Sequence, residues 1–147
     1  RVASRGLGDV YKRQTINRRG LRLGSSEIYR AVESLSEVVD SLVIDLEYLN
    51  RESNMTLFVV LNPGLELSED LKEKIRGVIS YSISARFVPD EIIKIDEVPR
   101  TLSGKKLEVP VKKLLLGSGP KTVVNRNSMA NPFSFEFFIK FARDKSI

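Results

Sequence analysis

The chain has 147 residues, of which 41% are hydrophobic and 29% are charged, and its formal net charge is +5. It lacks cysteine and histidine, which excludes disulfides, Cys/His zinc sites, cysteine nucleophiles and Ser-His-Asp triads. No apolar run approaches the length of a membrane span. We therefore expect a cytoplasmic protein with no metal site of its own and no membrane partner.

Residues 1–14 (RVASRGLGDVYKRQ) differ from the rest of the chain because they show no apolar period. Their charged residues are Arg1, Arg5, Asp9, Lys12 and Arg13. Three of the five net positive charges therefore fall in this stretch, and the remainder requires no nucleic-acid partner. We expect residues 1–14 to be non-native, joined where a native sequence continued upstream; the alternative is a disordered basic arm.

The first predicted elements are a hairpin and a helix. Residues 15–24 (TINRRGLRLG) alternate loosely and turn at Gly20, which indicates a short hairpin. The next helix is expected to be capped by Ser25 or Ser26. Its apolar residues at helical spacing are Ile28, Val32 and Leu35.

Three strands are predicted further along the chain, at residues 38–49, 55–61 and 91–98. The second is apolar enough to be central in a sheet. In the first, the residues expected to share one face are Leu42, Ile44, Leu46 and Tyr48.

Three further helices complete the prediction. Ser68 caps one of them, whose expected buried stripe is Leu71, Ile75, Val78 and Ile79. Residues 109–116 form another, with Pro110 in the first turn, where proline is tolerated. Residues 133–143 form an aromatic helix, and the side chains expected to dock are Phe135, Phe138 and Phe141.

This order predicts an α+β fold. It consists of a small sheet of about three strands with flanking helices, preceded by a short hairpin and followed by a helical tail. We expect one domain over residues 15–117 and a C-terminal helical tail over residues 118–147.

One candidate functional segment is residues 99–106 (PRTLSGKK), a loop that follows an apolar strand. Lys105 stands directly after Ser103 and Gly104, and the glycine permits unusual backbone angles. A lysine at such a tip suits the stabilisation of phosphate or carboxylate charge. From spacing alone, a solvated turn is the simpler interpretation. The segment is not a P-loop, because the GxxxxGK[ST] spacing is absent.

A second candidate is residues 20–24 (GLRLG), which carry Arg22 in a tight turn. Read alone, this segment is also best explained as structural. Its glycines are one residue too far apart for the GxxG clamp of KH domains.

Together the two segments resemble the C-terminal domain of the AMP-forming acyl-CoA synthetases, the adenylate-forming family. Gly-x-Arg followed by Glu-Ile, and then Pro-Arg-Thr-x-Ser-Gly-Lys some eighty residues later, occur in the order and at the separation typical of that family. The resemblance covers residues 15–117. Residues 121–132 (KTVVNRNSMANP), the aromatic helix after them and residues 15–22 are similar to bacterial family members that activate acetoacetate.

The resemblance implies a role for each motif. Lys105 is the expected catalytic residue, reaching the carboxylate and the α-phosphate during acyl-adenylate formation, while Ser103 and Gly104 shape its loop. Gly20 and Arg22 are expected to bind substrate on the coenzyme A side during thioester formation.

The resemblance also implies that this domain works within a larger enzyme. The full-length protein would use ATP, coenzyme A and Mg²⁺, none of which this fragment is expected to bind alone. Its expected partners are a missing N-terminal adenylation domain and the small-molecule substrate acetoacetate, and the domain would turn between two poses.

The chain departs from the family pattern just before residue 15. The family normally has Gly-Arg-x-Asp there, but Tyr11 stands in the arginine position and Arg13 in the hinge position. Support for domain rotation is therefore in doubt. Two alternatives stay open: the same domain from an acetyl- or propionyl-CoA synthetase, and a free-standing basic α+β module that binds RNA through aromatics exposed on its sheet.

Overall fold

The computed structural model describes residues 15–18, 21–46, 54–116 and 126–145. These residues form two compact units, an N-terminal unit described within 15–97 and a C-terminal unit described within 98–145. The expectation about residues 1–14 and the predicted boundary at 117/118 lie outside the described residues and stay predictions.

The N-terminal unit begins with the predicted hairpin. Strands β1 (Thr15–Arg18) and β2 (Leu21–Gly24) pair antiparallel, with Ile16 opposite Leu23. Ile16 is fully buried in the core of this unit, and Leu23 packs against the same core. The hairpin is therefore attached to the unit by its apolar side chains as well as by the chain.

Helix α1 (Ser25–Val32) follows β2 directly, and the prediction of a serine cap is wrong. Gly24 is the N-cap residue and supplies no side-chain hydrogen bond, while Ser25 is buried inside the first turn. The hairpin delivers an extended chain straight into the helix, so no residue is left for a separate capping turn. Ile28 and Val32 are fully buried, as their spacing predicts.

The main sheet has three strands in the order β3-β4-β5: β3 (Val38–Leu46), β4 (Asn54–Leu61) and β5 (Glu91–Lys94). β4 pairs antiparallel with β3 and parallel with β5, which confirms its predicted central place. Strand β5 is shorter than the predicted 91–98.

Both faces of the sheet are covered along β3, where Leu42, Val43 and Ile44 are all fully buried. The backbone N–H of Val43 donates to the Tyr29 hydroxyl of α1 at 3.1 Å. This bond gives an amide of an edge strand a partner from a helix. The side chains of Leu46 and Tyr48, predicted on the face of Leu42, lie outside the described residues.

Helix α2 (Glu69–Ser82) crosses between β4 and β5 and is capped as predicted. The Ser68 hydroxyl accepts a hydrogen bond from the backbone N–H of Leu71 at 3.2 Å. Leu71, Ile75 and Ile79 are its buried stripe, and Val78 is half-buried against the core. The crossover is what makes the parallel β4–β5 pairing possible.

The C-terminal unit contains helices α3 (Glu108–Leu115) and α4 (Ser134–Lys145), which contact each other. Pro110 lies in the first turn of α3, where its missing N–H costs no hydrogen bond. Phe135 and Phe138 of α4 are fully buried as predicted, while Phe141, the third residue predicted to dock, is half-buried. Phe133, predicted as the first residue of this helix, precedes it and is 86% exposed.

Candidate functional site

Residues 99–106, which we call the lysine loop, form a tight hairpin in the C-terminal unit. Arg100 and Lys106 form an antiparallel bridge at its base. Above the bridge, the N–H of Thr101 donates to the Lys105 carbonyl at 2.9 Å, and the N–H of Gly104 donates to the Thr101 carbonyl at 2.9 Å. The loop is therefore closed by its own backbone.

Gly104 and Thr101 fix the shape of the tip. Gly104 has φ +92°, a conformation in which a residue with a Cβ is strained. The Thr101 hydroxyl lies 3.0 Å from that of Ser103 and also accepts the N–H of Lys105 at 3.0 Å. Thr101 is 3% exposed, so a buried hydroxyl sets the backbone on which an exposed lysine stands.

The Lys105 side chain is exposed, and within the described part of the chain no acceptor bonds its ammonium group. Lys106 differs because it is half-buried and takes part in a further contact. Arg100 turns back on the loop and donates from Nη1 to the Gly104 carbonyl at 2.7 Å. The loop thus presents Lys105 as a cation available to an anionic group.

A second segment, residues 126–131, runs beside the start of the lysine loop; we call it the tail segment. The N–H of Leu102 donates to the Ser128 carbonyl at 3.0 Å, and the N–H of Ala130 donates to the Arg100 carbonyl at 3.0 Å. Thr101 and Met129 form an antiparallel bridge between these two bonds. Residues 100–102 are therefore paired on both edges.

Asn131 ends the tail segment and bonds the same strand of the lysine loop through its side chain. Its Oδ1 accepts the backbone N–H of Arg100 at 3.0 Å, and its Nδ2 donates to the Val98 carbonyl at 2.9 Å. Sequence reasoning missed this contact. Asn131 precedes Pro132, and an Asn-Pro pair indicates a turn. It does not predict the hydrogen-bond partners of the asparagine side chain.

Arg22, the other predicted cationic site residue, lies on β2 in the N-terminal unit, opposite Asn17, and its side chain is exposed. Gly20 lies outside the described residues. The structure thus gathers Lys105, Ser103 and Gly104 into one loop, while Arg22 belongs to the other unit.

A groove of about 270 Å³ lies between the start of α2 and the turn before β3 in the N-terminal unit. There the Lys74 ammonium donates to Glu37 Oε2 at 2.7 Å, and this hydrogen bond holds the pKa of Glu37 below its ordinary value. Within 15–18, 21–46, 54–116 and 126–145, acidic side chains form no group of three able to hold a metal.

Two further observations concern the other binding classes. Phe58, the aromatic residue of the described strands, is fully buried in β4 and is not available to stack on a base. Among the helices that the structure describes, none combines the length and the apolar character needed to span a bilayer.

Comparison with known proteins supplies close relatives, although no family model matches the chain. The chain is 41% identical over 124 residues to acetoacetyl-CoA synthetase of Danio rerio. The matched region covers 84% of this chain and 18% of the relative. The structure of acetoacetyl-CoA synthetase from Streptomyces lividans superposes with TM-score 0.82 at 42% identity, covering 90% of this chain and 19% of that one.

A more distant structure, an acyl-CoA synthetase from Brucella canis, matches with TM-score 0.58 at 28% identity over 64% of this chain and 17% of its own. In all these comparisons the chain spans less than a fifth of the matched protein's length.

Proposed function

Because the chain belongs to the acyl-CoA synthetase family, we propose that it is the mobile C-terminal domain of an AMP-forming acetoacetate–CoA ligase. The observation that carries the proposal is the exposed ammonium of Lys105, which no described acceptor bonds, at the tip of a hairpin closed by its own backbone. The substrate follows from the relatives named acetoacetyl-CoA synthetase.

The reaction we propose for the whole enzyme has two steps. A carboxylate oxygen of acetoacetate forms a bond to the α-phosphorus of ATP, and the bond from that phosphorus to the bridging oxygen breaks, which releases pyrophosphate. The thiol of coenzyme A then attacks the acyl carbon and loses its proton, while the carbon–oxygen bond to AMP breaks. The products are acetoacetyl-CoA and AMP.

Lys105 acts in the first step. Its ammonium approaches the carboxylate and the α-phosphate, orients the acid and offsets the charge that builds on the phosphoryl oxygens. Ser103 and Gly104 hold the tip of the loop in the conformation that exposes the Lys105 ammonium group. A single exposed cation suits this role because it can leave water for the anion without first breaking an internal ion pair.

Arg22 and Gly20 act in the second step. The exposed guanidinium of Arg22 contacts a phosphate of coenzyme A or holds the second pose of the domain, and Gly20 lets the backbone pass close to the pantetheine arm. ATP and Mg²⁺ are held by the N-terminal adenylation domain. The C-terminal domain contributes one cation to each half-reaction, Lys105 to the first and Arg22 to the second.

The test uses a chimera in which residues 15–147 replace the matching region of the Streptomyces lividans enzyme, to which the chain is 42% identical. Acetoacetate-dependent exchange of pyrophosphate into ATP measures the first step. We expect Lys105→Ala to lower the exchange rate by about a hundred- to a thousandfold. Lys113→Ala is the matched control, an exposed lysine of the same unit, and should leave the rate unchanged. Full exchange activity in the Lys105→Ala chimera would falsify the assigned role.

Arg22 is tested in the second step, by thioester formation from synthetic acyl-adenylate and coenzyme A. Arg22→Ala should raise the KM for coenzyme A about tenfold and leave pyrophosphate exchange intact. Arg30→Ala is the control, since Arg30 is exposed in the same unit and forms only a 3.4 Å surface pair with Glu27. Equal effects of the two substitutions would remove Arg22 from the coenzyme A side.

Acetate and propionate are the competing substrates, because the two motifs serve any acid of this family. A panel of acetoacetate, acetate and propionate on the full-length ligase that contains this chain decides between them. We expect kcat/KM to be highest for acetoacetate. A higher value for acetate or propionate would keep the role of Lys105 and change the substrate.

A further inference from the structure

We propose that Asn131 is a positioning residue for adenylate formation. It acts by holding residues 98–102, which lead into the lysine loop and which we call the entry strand, so that Lys105 points at its target. The inference rests on the proposed function of Lys105 and extends it to the tail segment. It starts from the two hydrogen bonds that the Asn131 side chain makes to Arg100 and Val98.

The Asn131 amide substitutes for a backbone peptide group. Its oxygen accepts from the N–H of Arg100 and its nitrogen donates to the carbonyl of Val98, as a neighbouring strand would do. Only this orientation of the amide satisfies both partners. In the opposite orientation the amide NH₂ would face the N–H of Arg100, and the amide oxygen would face the Val98 carbonyl. Pro99, between the two bonded positions, has no N–H to offer.

The bonds of Asn131 continue a ladder begun by the tail segment. Ser128 and Ala130 bond Leu102 and Arg100 through their backbones, and Asn131 extends the pairing to Val98. At this point the backbone of the tail segment turns away, because the Asn131 carbonyl accepts the N–H of Ser134, the first residue of α4, at 3.0 Å. The side chain therefore pairs where the backbone no longer can.

The other edge of the entry strand carries Lys105 itself. The N–H of Thr101 donates to the Lys105 carbonyl, and Arg100 is bridged to Lys106. A strand held on both edges resists the rotation about its own axis that would swing the hairpin tip. Since the ammonium stands at the end of a long flexible side chain, a small tilt at the base moves its centre away from the reacting oxygens.

The experiment compares isosteric substitutions at Asn131 in the Streptomyces lividans chimera. Asn131→Leu removes both hydrogen bonds, while Asn131→Asp keeps the acceptor and sets a carboxylate oxygen against the Val98 carbonyl. We expect Asn131→Leu to lower kcat of pyrophosphate exchange on the order of a hundredfold, with KM for ATP within about threefold. The kcat of Asn131→Asp should lie between those of the starting chimera and of Asn131→Leu. This variant provides the test if the Leu variant does not fold.

The second half-reaction separates positioning from general damage to the fold. Thioester formation from synthetic acyl-adenylate does not use Lys105, so Asn131→Leu should leave it within about threefold of the starting chimera. In the double variant Lys105→Ala, Asn131→Leu, the exchange rate should equal that of Lys105→Ala alone, because Asn131 acts through Lys105.

Three results overturn the inference: unchanged exchange in both Asn131 variants, an equal loss in both half-reactions, or a double variant slower than Lys105→Ala by the full factor of Asn131→Leu. Failure of the proposed function has a different signature, since exchange then survives Lys105→Ala. When Lys105→Ala abolishes exchange and both Asn131 variants exchange normally, the role of Lys105 stands and that of Asn131 falls.

Discussion

The hydroxyl of Thr101 accepts a hydrogen bond from the backbone N–H of Lys105 at 3.0 Å, and Thr101 is 3% exposed. The same hydroxyl lies 3.0 Å from that of Ser103. One buried side chain therefore links the start of the lysine loop to both polar positions of its tip. This arrangement makes Thr101 the residue through which the geometry of the loop is most simply perturbed.

Thr101→Val removes the hydroxyl and keeps the shape of the side chain. We expect the free energy of unfolding of the chain to fall by about 1 kcal/mol, since a typical intramolecular hydrogen bond contributes about that much to stability. Pyrophosphate exchange in the chimera should fall about tenfold. Thr101→Ser, which keeps the hydroxyl, is the control and should exchange normally. Equal exchange by the Val and Ser variants would contradict this role for the hydroxyl.

Gly104→Ala tests the left-handed backbone of the tip. A Cβ at this position meets no atom within 4 Å, so the penalty comes from φ +92° alone. We expect a loss of about 1–2 kcal/mol in the free energy of unfolding, measured by urea denaturation followed by circular dichroism.

Gly77→Ala is the control for that experiment. Gly77 lies in α2, and a Cβ there also meets no atom within 4 Å. Alanine is favoured over glycine by about 0.5–1 kcal/mol in a helix, so this variant should be more stable. Because the added Cβ meets no atom in either variant, opposite changes in the free energy of unfolding would isolate the effect of backbone conformation. A stabilised Gly104→Ala variant would show that the tip tolerates a different conformation.

Phe138→Ala tests the docking of α4 on the rest of the C-terminal unit. Phe138 is fully buried, and its truncation should cost about 3–5 kcal/mol in the free energy of unfolding. Phe133→Ala is the control, because Phe133 is 86% exposed and should change stability by no more than about 0.5 kcal/mol. Urea denaturation measures both changes. Similar shifts in the denaturation midpoints of Phe138→Ala and Phe133→Ala would mean that α4 is not packed as described.

Lys74→Met tests the cause of the lowered pKa of Glu37. The hydrogen bond from Lys74 is the largest cause, so its removal should raise the pKa of Glu37 towards its ordinary value. The contribution to stability is present above that ordinary value and is lost as pH falls through the lowered folded pKa. Carboxyl ¹³C shifts followed from pH 2 to 7 measure the change, with Lys72→Met as the control. An unmoved titration curve for Glu37 would assign the shift to another group.

Local patterns carried much of the fold prediction. The Ser68 cap follows from a serine before Glu69 and Asp70, and the central place of β4 follows from an apolar run with polar turns on each side. Both depend on neighbouring residues only. The cap of α1 was missed because Gly24 is fixed by the hairpin register, which pairs it with Thr15.

The site was predictable only in part. The residues of the lysine loop are adjacent in the chain, so their association could be inferred, together with the need for glycine at position 104. The pairing of the tail segment could not, because residues 126–131 lack the alternation of a strand. Asn131 and Arg100 are 31 positions apart, and no local rule predicts a bond over that distance.

The pairing of the tail segment has a consequence for how genes of this kind are read. A premature stop codon or frameshift between residues 116 and 126 would leave both recognisable motifs in the encoded product. Yet it would remove the strand that flanks the lysine loop, along with the asparagine that ends the ladder. A search for the motifs would score such a gene as intact, while the lysine loop of its product would keep the pairing within the hairpin and lose the pairing on its other edge.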